Sequence, residues 1–225
     1  MINTLNFNVE TKDETRIAQF DFSKLLCIGF AGRNREKVME HIIELEEIGV
    51  KRPEKIPIIY PCSAILATQA NRIQVVGNET SGEVEFILFE SQGETYIGLG
   101  SDHTDRSLET VSIPKSKQMC AKPVGSTLWK YSQVKNHWDE LILRSWITVN
   151  GQEQLYQEGK VSSILPVEDL KEVVRTEYNS MENLLVFCGT VPTHGGFVYG
   201  EKFRYELADE VINRRISHEY EIEIL

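Results

Sequence analysis

The stretch Ser81-Gly82-Glu83-Val84-Glu85-Phe86-Ile87-Leu88-Phe89, followed soon after by Gly98-Leu99-Gly100-Ser101-Asp102, decides the fold. The first segment alternates and then becomes a continuous apolar run, which predicts a strand. Residues two apart share one face of a strand, so Glu83 and Glu85 point the same way, roughly 7 Å apart. Two neighbouring carboxylates repel each other unless a cation or a proton lies between them.

A turn separates this strand from a second one, Thr95–Leu99. If the hairpin loop has two residues (Gln92-Gly93) or four, Glu83 lies directly opposite Asp102, whereas an odd-numbered loop without a bulge breaks the match. In the even-numbered case three carboxylates meet on one face. Such a set suits a hard cation, namely magnesium, manganese or calcium. The alternative is a solvated strand that carries exposed acidic residues.

The bulk composition predicts one globular domain over residues 1–225, with residues 1–20 as N-terminal strands that pack on it. The net charge of −10 makes nucleic acid and anionic membranes poor partners, because both are bound by clustered lysine and arginine. No secretory signal or membrane-length apolar run is apparent, and the four cysteines are widely spaced. We therefore expect free thiols and a cytoplasmic protein.

Many short strands and few helices predict a mostly β, α+β architecture. The clearest helix covers residues 35–48, with Val38 and Ile42 in its core stripe and Asn34 as its cap. Residues 53–61 are expected to form a proline-punctuated loop. A buried strand over Asn183–Phe187 precedes Gly189-Thr190, which provides backbone N–H groups and a hydroxyl for a substrate carboxylate or forms a tight turn.

Basic residues follow the acidic set along the chain. Arg106 comes four residues after Asp102, and Glu109 three residues later, so Arg106 either binds an anionic ligand or holds the site together by a salt bridge. Lys117 and Lys122 flank Cys120, where a lysine can stabilise an enolate; the alternative is a solvated basic loop.

The sequence places two histidines next to acidic residues of the predicted site. His41 and Glu44 lie one turn apart on the predicted helix, where the glutamate can orient the imidazole and the pair can activate water. The alternative for this pair is the charged face of an amphipathic helix. His103 follows Asp102, so in an extended chain it faces away from the acidic cluster.

The order of these motifs resembles the fumarylacetoacetate hydrolase superfamily, and most closely a small bacterial branch of unassigned function. The matching segments are Gly32-Arg33-Asn34 with the His41/Glu44 helix, Glu83-Val84-Glu85, Ser101–Arg106, Asn150-Gly151 with Gln157-Glu158-Gly159, and Gly189-Thr190-Val191-Pro192. They are similar to that family's lid and dyad, its Glu-x-Glu metal pair, its Asn-Asp-x-(Ser/Thr)-x-Arg motif, its Asn-Gly and Gln-x-Gly segment, and its Gly-Thr-Pro signature.

The resemblance implies a β-sandwich roll, a homodimer and one Mg²⁺ or Mn²⁺ ion, with Ca²⁺ also possible in a crystal. The metal ligands would be Glu83, Glu85 and Asp102. Arg106, Glu109 and a lysine would contact the substrate, and Gly189 and Thr190 would hold its carboxylate. Substrates across the family are mostly 2-oxo acids, and the reactions include acylpyruvate hydrolysis, decarboxylation, hydration and isomerisation.

The sequence departs from the family pattern at several positions. The family places a histidine where Val38 stands, and His41 with Glu44 comes three residues later. Glu109 replaces a frequent glutamine and makes the site more acidic. The family lysine aligns between Lys115 and Lys117, of which we favour Lys117.

Two functional hypotheses follow. The first is a metal-dependent hydrolase or lyase that cleaves a C–C bond of a small 2-oxo acid through a metal-stabilised enolate, with His41, Glu44 and Lys117 as catalytic residues. A hydratase or isomerase is a variant of it. The second is a non-catalytic module that binds a metal and an organic acid, which the shifted His-x-x-Glu pair favours. A purely structural β protein is the least favoured interpretation.

Overall fold

Seventeen strands and five α-helices make up the computed structural model, which describes residues 2–47 and 51–225 and omits the side chains of His41 and Leu45. The strands are β1 (Asn3–Glu10), β2 (Thr15–Phe22), β3 (Lys24–Gly29), β4 (Ile58–Ser63), β5 (Ala67–Thr68), β6 (Arg72–Val75), β7 (Thr80–Ser81), β8 (Val84–Ser91), β9 (Glu94–Ser101), β10 (Thr104–Asp105), β11 (Lys122–Pro123), β12 (Thr127–Lys130), β13 (Ile142–Val149), β14 (Gln152–Lys160), β15 (Leu184–Thr190), β16 (Lys202–Asp209) and β17 (Arg214–Ile224). The helices are α1 (Arg35–Glu47), α2 (Arg106–Glu109), α3 (Ile113–Met119), α4 (Tyr131–Val134) and α5 (Val167–Tyr178).

The strands form two large sheets. One sheet has eight strands in the order β2-β1-β12-β9-β8-β15-β3-β4, and the other has five in the order β14-β13-β16-β17-β6. Two further sheets, β10-β7 and β11-β5, have two strands each. At the N-terminus β1 pairs with β2 and, in parallel, with β12, so the first two strands extend the larger sheet.

Strand β8 is buried on both of its faces. Val84 and Phe86 pack into the core shared with the five-stranded sheet, whereas Ile87 and Phe89 pack into a second core on the opposite face of the larger sheet. A strand that is covered on both sides must be apolar at successive positions. This burial explains the continuous apolar run in the sequence.

The hairpin between β8 and β9 has a two-residue loop. Ser91 pairs with Glu94, and both loop residues, Gln92 and Gly93, have positive φ angles of 52° and 77°. Positive φ at both central positions is the signature of the tight turn that matches strand twist. The ladder runs on to the Val84–Ser101 pair, which confirms the two-residue interpretation.

Helix α1 begins as the sequence predicts. The Asn34 side-chain oxygen accepts hydrogen bonds from the N–H groups of Glu36 and Lys37, and Val38 and Ile42 are buried. The predicted loop over residues 53–61 is wrong in its second half, because β4 begins at Ile58 and pairs with β3. Pro61 is tolerated there since β4 is an edge strand, whose outer side needs no N–H donor.

No helix within the described ranges has both the length and the apolar character that a membrane span requires.

Candidate metal centre

Three carboxylates converge at the open end of the β8–β9 hairpin, opposite its turn. The N–H of Asp102 donates to the carbonyl of Glu83 over 3.0 Å, which places these two residues opposite each other. One ligand atom each from Glu83, Glu85 and Asp102 lies within 4.8 Å of the other two. Glu85 and Asp102 are buried, and Glu83 is partly exposed. The hairpin register therefore assembles the oxygen set that a hard divalent cation requires.

The carboxylate of Glu85 accepts a hydrogen bond from the backbone of β15. The N–H of Gly189 donates to Glu85 Oε2 over 2.7 Å, at an irregularity in the pairing of β15 with β8. Gly189 and Thr190 therefore belong to a strand, and the tight-turn alternative is wrong. Burial raises the pKa of Glu85 well above its ordinary value, and the charges of Asp102 and Glu83 add to the increase. A bound divalent cation would relieve this repulsion.

Two lysines clamp the carboxylate of Asp102. Lys117 Nζ lies 2.5 Å from Oδ2, and Lys122 Nζ lies 3.1 Å from Oδ1. Burial alone would raise the pKa of Asp102, but the charges and hydrogen bonds of the two lysines lower it overall. Both lysines are buried, so the solvated-loop alternative is wrong, whereas Lys115 on the same helix α3 is exposed.

Arg106 connects two acidic residues. Its Nη2 lies 3.4 Å from Glu83 Oε1, and its Nη1 donates to Glu109 Oε2 over 2.9 Å. Nε donates to Ser81 Oγ over 2.7 Å, and the ring of Phe197 covers the guanidinium at 4.2 Å. Arg106 therefore forms salt bridges to both Glu83 and Glu109, and its contact with an anionic substrate stays a prediction.

Gln157 links the two sheets beneath the site. Its side-chain oxygen accepts from the N–H of Val84 and the hydroxyl of Ser145, at 3.0 and 2.9 Å. Its nitrogen donates to Thr190 Oγ1 over 2.8 Å and to the carbonyl of Val191 over 2.7 Å. All four bonding positions of the buried amide are thus used. Thr190 also donates to the carbonyl of Val84 over 2.7 Å, so its hydroxyl is part of this network.

His103 faces away from the carboxylates, as its position in the sequence predicts. Its ring nitrogens lie 2.8 Å from the Tyr220 hydroxyl and 3.0 Å from Thr80 Oγ1. Its carbonyl accepts a hydrogen bond from Lys122 Nζ. Burial lowers the pKa of this histidine well below its ordinary value, and the charges of Lys122 and Arg106 lower it further. His103 is therefore a neutral, hydrogen-bonded core residue.

The predicted dyad lies on α1, which starts beside the site. A Cβ atom on Gly189 would lie 3.1 Å from the Cβ of Ala31, just before the helix. Glu44 is on this helix, but the side chain of His41 lies outside the described residues. The pairing of His41 with Glu44 stays a prediction.

Sequence reasoning missed the contribution of Gln157 and Phe197 and underrated Lys122. A usable signal existed for Lys122, which is a single cation inside the apolar segment Ala121–Val124. A lysine in such a segment is rarely buried without a charged partner. The Gln157-Glu158-Gly159 segment marks Gln157 but not its contacts, because its partners are distant in the sequence. No local pattern marks Phe197, which stacks on the distant Arg106.

Comparisons with known proteins agree with this architecture. A profile of the family described as "Protein of unknown function (DUF2848)" matches residues 28–220. No curated protein sequence matches significantly. Two solved structures with the same fold are Cg1458 with an inhibitor (14% identity, TM-score 0.67, covering 95% of this chain and 81% of the other) and the apo form of 2-keto-3-deoxy-D-arabinonate dehydratase (16% identity, TM-score 0.65, covering 96% and 78%).

A third solved structure with this fold is the same dehydratase complexed with magnesium and 2,5-dioxopentanoate, at 16% identity and a TM-score of 0.60. The aligned region covers 96% of this chain and 78% of the dehydratase chain. These solved proteins are members of the fumarylacetoacetate hydrolase superfamily. Their structural match to this chain confirms the predicted mostly β fold. The chain has the fold of that superfamily and belongs to the family described as DUF2848.

Proposed function

We propose that this protein is a divalent-metal-dependent enzyme that acts on a small 2-oxo acid through an enolate. The observation that carries the proposal is the convergence of Glu83, Glu85 and Asp102 within 4.8 Å, with a buried lysine on Asp102. A structure of the same fold contains magnesium and the 2-oxo acid 2,5-dioxopentanoate, which supports this choice of ligand class.

The three carboxylates fit Mg²⁺ or Mn²⁺, because these ions prefer oxygen ligands and a cation between the carboxylates offsets their mutual repulsion. When bound, the ion would supply Lewis-acid polarisation of a 2-oxo group. Lys117, whose ammonium is held at 2.5 Å from Asp102, stabilises the enolate oxygen by a charge-assisted hydrogen bond. Arg106 keeps Glu83 in place.

The reaction proposed is cleavage of a C–C bond, by acylpyruvate-type hydrolysis or by decarboxylation. His41, oriented by Glu44, moves the proton, and the backbone at Gly189-Thr190 lies next to Glu85, where a substrate carboxylate can bind. Hydrolysis needs a water positioned by this dyad, and decarboxylation needs that water excluded. The alternative is a non-catalytic module that binds the same acid without turnover.

Metal binding is tested by thermal stability. With the metal at 100 times its Kd, binding stabilises the folded state by about 2.7 kcal/mol. For a chain of this size such an energy raises Tm by about 5–10 °C. We expect this shift with MnCl₂ or MgCl₂, its reversal by EDTA, and its loss in Glu83→Gln.

The matched control is Glu94→Gln, since Glu94 lies at the turn end of the same hairpin and contacts Ser132 and Lys130. This variant keeps the metal-dependent shift. A wild-type protein without any shift, or a Glu83→Gln variant with an unchanged one, would refute the metal site.

Catalysis is tested without knowing the reaction by following exchange of the C3 protons of 2-oxopentanoate in D₂O by NMR. An enolate-forming enzyme exchanges these protons in a metal-dependent way, and Lys117→Met slows the exchange by about 100-fold. Binding of the acid without exchange, and without turnover on a panel of 2-oxo acids, would identify the binding module. Turnover that persists in His41→Ala would remove His41 from the mechanism.

A further inference from the structure

We propose that the hydroxyl of Tyr220 positions the metal ligands, because it fixes the chain on both sides of Asp102 and packs beside Glu83. The proposal rests on the function proposed above, since it assumes that a divalent cation binds at the carboxylate cluster. Tyr220 is thus a positioning residue, which acts on the metal ligands through their neighbours in the chain.

Tyr220 reaches the site from the other large sheet. It lies on β17 of the five-stranded sheet, whereas Asp102 directly follows β9 of the eight-stranded sheet. The buried hydroxyl of Tyr220 lies 2.9 Å from Ser101 Oγ and 2.8 Å from His103 Nδ1. Ser101 and His103 are the two residues that flank Asp102 in the chain. One hydroxyl therefore ties both neighbours of this ligand to the five-stranded sheet.

The same hydroxyl lies against the chain beside Glu83. A Cβ atom on Gly82 would lie 2.6 Å from the Tyr220 hydroxyl oxygen and 2.7 Å from Ser101 Oγ, so a larger residue here would displace them. Gly82 directly precedes Glu83, whose carbonyl accepts the N–H of Asp102 over 3.0 Å. The hydroxyl is thus packed between the two segments that carry these ligands, at the point where the segments pair.

His103 extends the network to a cation of the site. Its other ring nitrogen lies 3.0 Å from Thr80 Oγ1, so the imidazole is held at both ends, and its carbonyl accepts a hydrogen bond from Lys122 Nζ. Lys122 Nζ in turn lies 3.1 Å from Asp102 Oδ1. A shift of His103 would therefore move the carbonyl that holds the lysine as well as the backbone next to the carboxylate.

The network is polar although it lies in the core. Its four side chains, those of Thr80, Ser101, His103 and Tyr220, are all buried. Buried polar groups cost free energy unless their partners are in place, so packing alone would favour apolar residues here. Hydrogen bonds depend on distance and angle, so they restrict the chain more narrowly than apolar contacts do. Removing such a group from behind a metal ligand typically lowers metal affinity by about 10–100-fold.

The test measures the Kd of Mn²⁺ by calorimetry for the wild-type protein and for Tyr220→Phe, which keeps the buried ring and removes only the hydroxyl. We expect the Kd to rise about tenfold. Circular dichroism and urea unfolding establish that each protein is folded under the titration conditions. Ser101→Ala removes one partner of the same hydroxyl; it also raises the Kd by more than twofold, and it decides the question if Tyr220→Phe does not fold.

Thr95→Val is the control, because Thr95 is a buried residue near the turn of the same hairpin, where its hydroxyl accepts a hydrogen bond from Lys171 Nζ over 2.8 Å. Its stability falls, since a buried hydrogen bond is lost, but its Kd for Mn²⁺ stays within twofold of the wild-type value.

A purely structural Tyr220 would behave like this control, so lower stability with an unchanged Kd in Tyr220→Phe would overturn the assignment. An equal loss of affinity in Thr95→Val would overturn it as well, because general destabilisation would then explain both variants. If the wild-type protein binds no Mn²⁺, the proposed metal site itself fails, and with it this inference.

Discussion

Replacing Lys122 with methionine tests the electrostatic balance of the site most directly. The ammonium of Lys122 and the carboxylate of Asp102 are 3.1 Å apart, and both side chains are almost fully buried. Methionine retains the length and apolar volume of the lysine stem, so the substitution mainly removes the charge and its hydrogen bonds. The expected effect is a loss of folding stability in the metal-free protein.

The magnitude follows from two terms. Removing one partner of a buried ion pair usually costs 3–5 kcal/mol, but Lys117 still neutralises Asp102, so about 2 kcal/mol is expected here. The carbonyl of His103 also loses its donor, which costs about 1–3 kcal/mol. Together we expect a decrease of about 3–5 kcal/mol in the free energy of unfolding, or about 6–20 °C in Tm.

The assay is urea unfolding in EDTA, with Lys160→Met as the control. Lys160 pairs with Glu140 at 2.7 Å, but both side chains are more than half exposed, and surface pairs contribute about 0–1 kcal/mol. A Lys122→Met variant that loses less than about 1 kcal/mol, or no more than Lys160→Met, would refute the reasoning.

A double-mutant cycle with Asp102→Asn identifies the partner of Lys122. If the carboxylate is that partner, Lys122→Met costs at least about 1 kcal/mol less in the Asp102→Asn background than in the wild-type protein. Equal costs in both backgrounds would show that Lys122 acts independently of Asp102.

Two further predictions concern the sheet linkage and the pH dependence of stability. Gln157→Leu removes the acceptor of the Val84 N–H and of the Ser145 hydroxyl, so urea unfolding should show a loss of about 3 kcal/mol. Gln154→Leu, at an exposed position of the same strand, should change stability by less than about 1 kcal/mol, and equal losses would contradict the linkage. Burial lowers the pKa of His218, so the unfolded chain takes up the extra proton below about pH 6.5 and stability falls as the pH drops from there towards the folded-state pKa. His218→Gln should flatten the slope of the unfolding free energy between about pH 6.5 and 5.5, and identical slopes would exclude this histidine.

Local patterns predicted the hairpin and its acidic face correctly. Alternation along β8 and the turn residues Gln92-Gly93 are short-range features, so they are visible in the sequence. The cap at Asn34 and the outward orientation of His103 are local in the same sense. The loop expected at residues 53–61 was wrong, because the edge position of β4, which tolerates Pro61, depends on the order of strands in the sheet.

The other parts of the site depend on contacts between distant segments. Gln157 accepts a hydrogen bond from Val84, which is 73 positions away in the chain, and Gly189 donates to a glutamate 104 positions away. Sequence analysis left the role of Arg106 open, since only the position of Ser81, Glu83 and Phe197 around it shows how its donors are used.

Strand alternation alone places Glu83 and Glu85 on one face, and it brings Asp102 to the same face when the hairpin loop has an even number of residues, as it does here. Which cations neutralise that face depends on the packing of distant segments. Lys117 and Lys122 reach Asp102 from separate elements, and Glu109 is separated from Glu83 by one guanidinium group. Charge balance in a buried site depends on distances between side chains, and packing sets those distances.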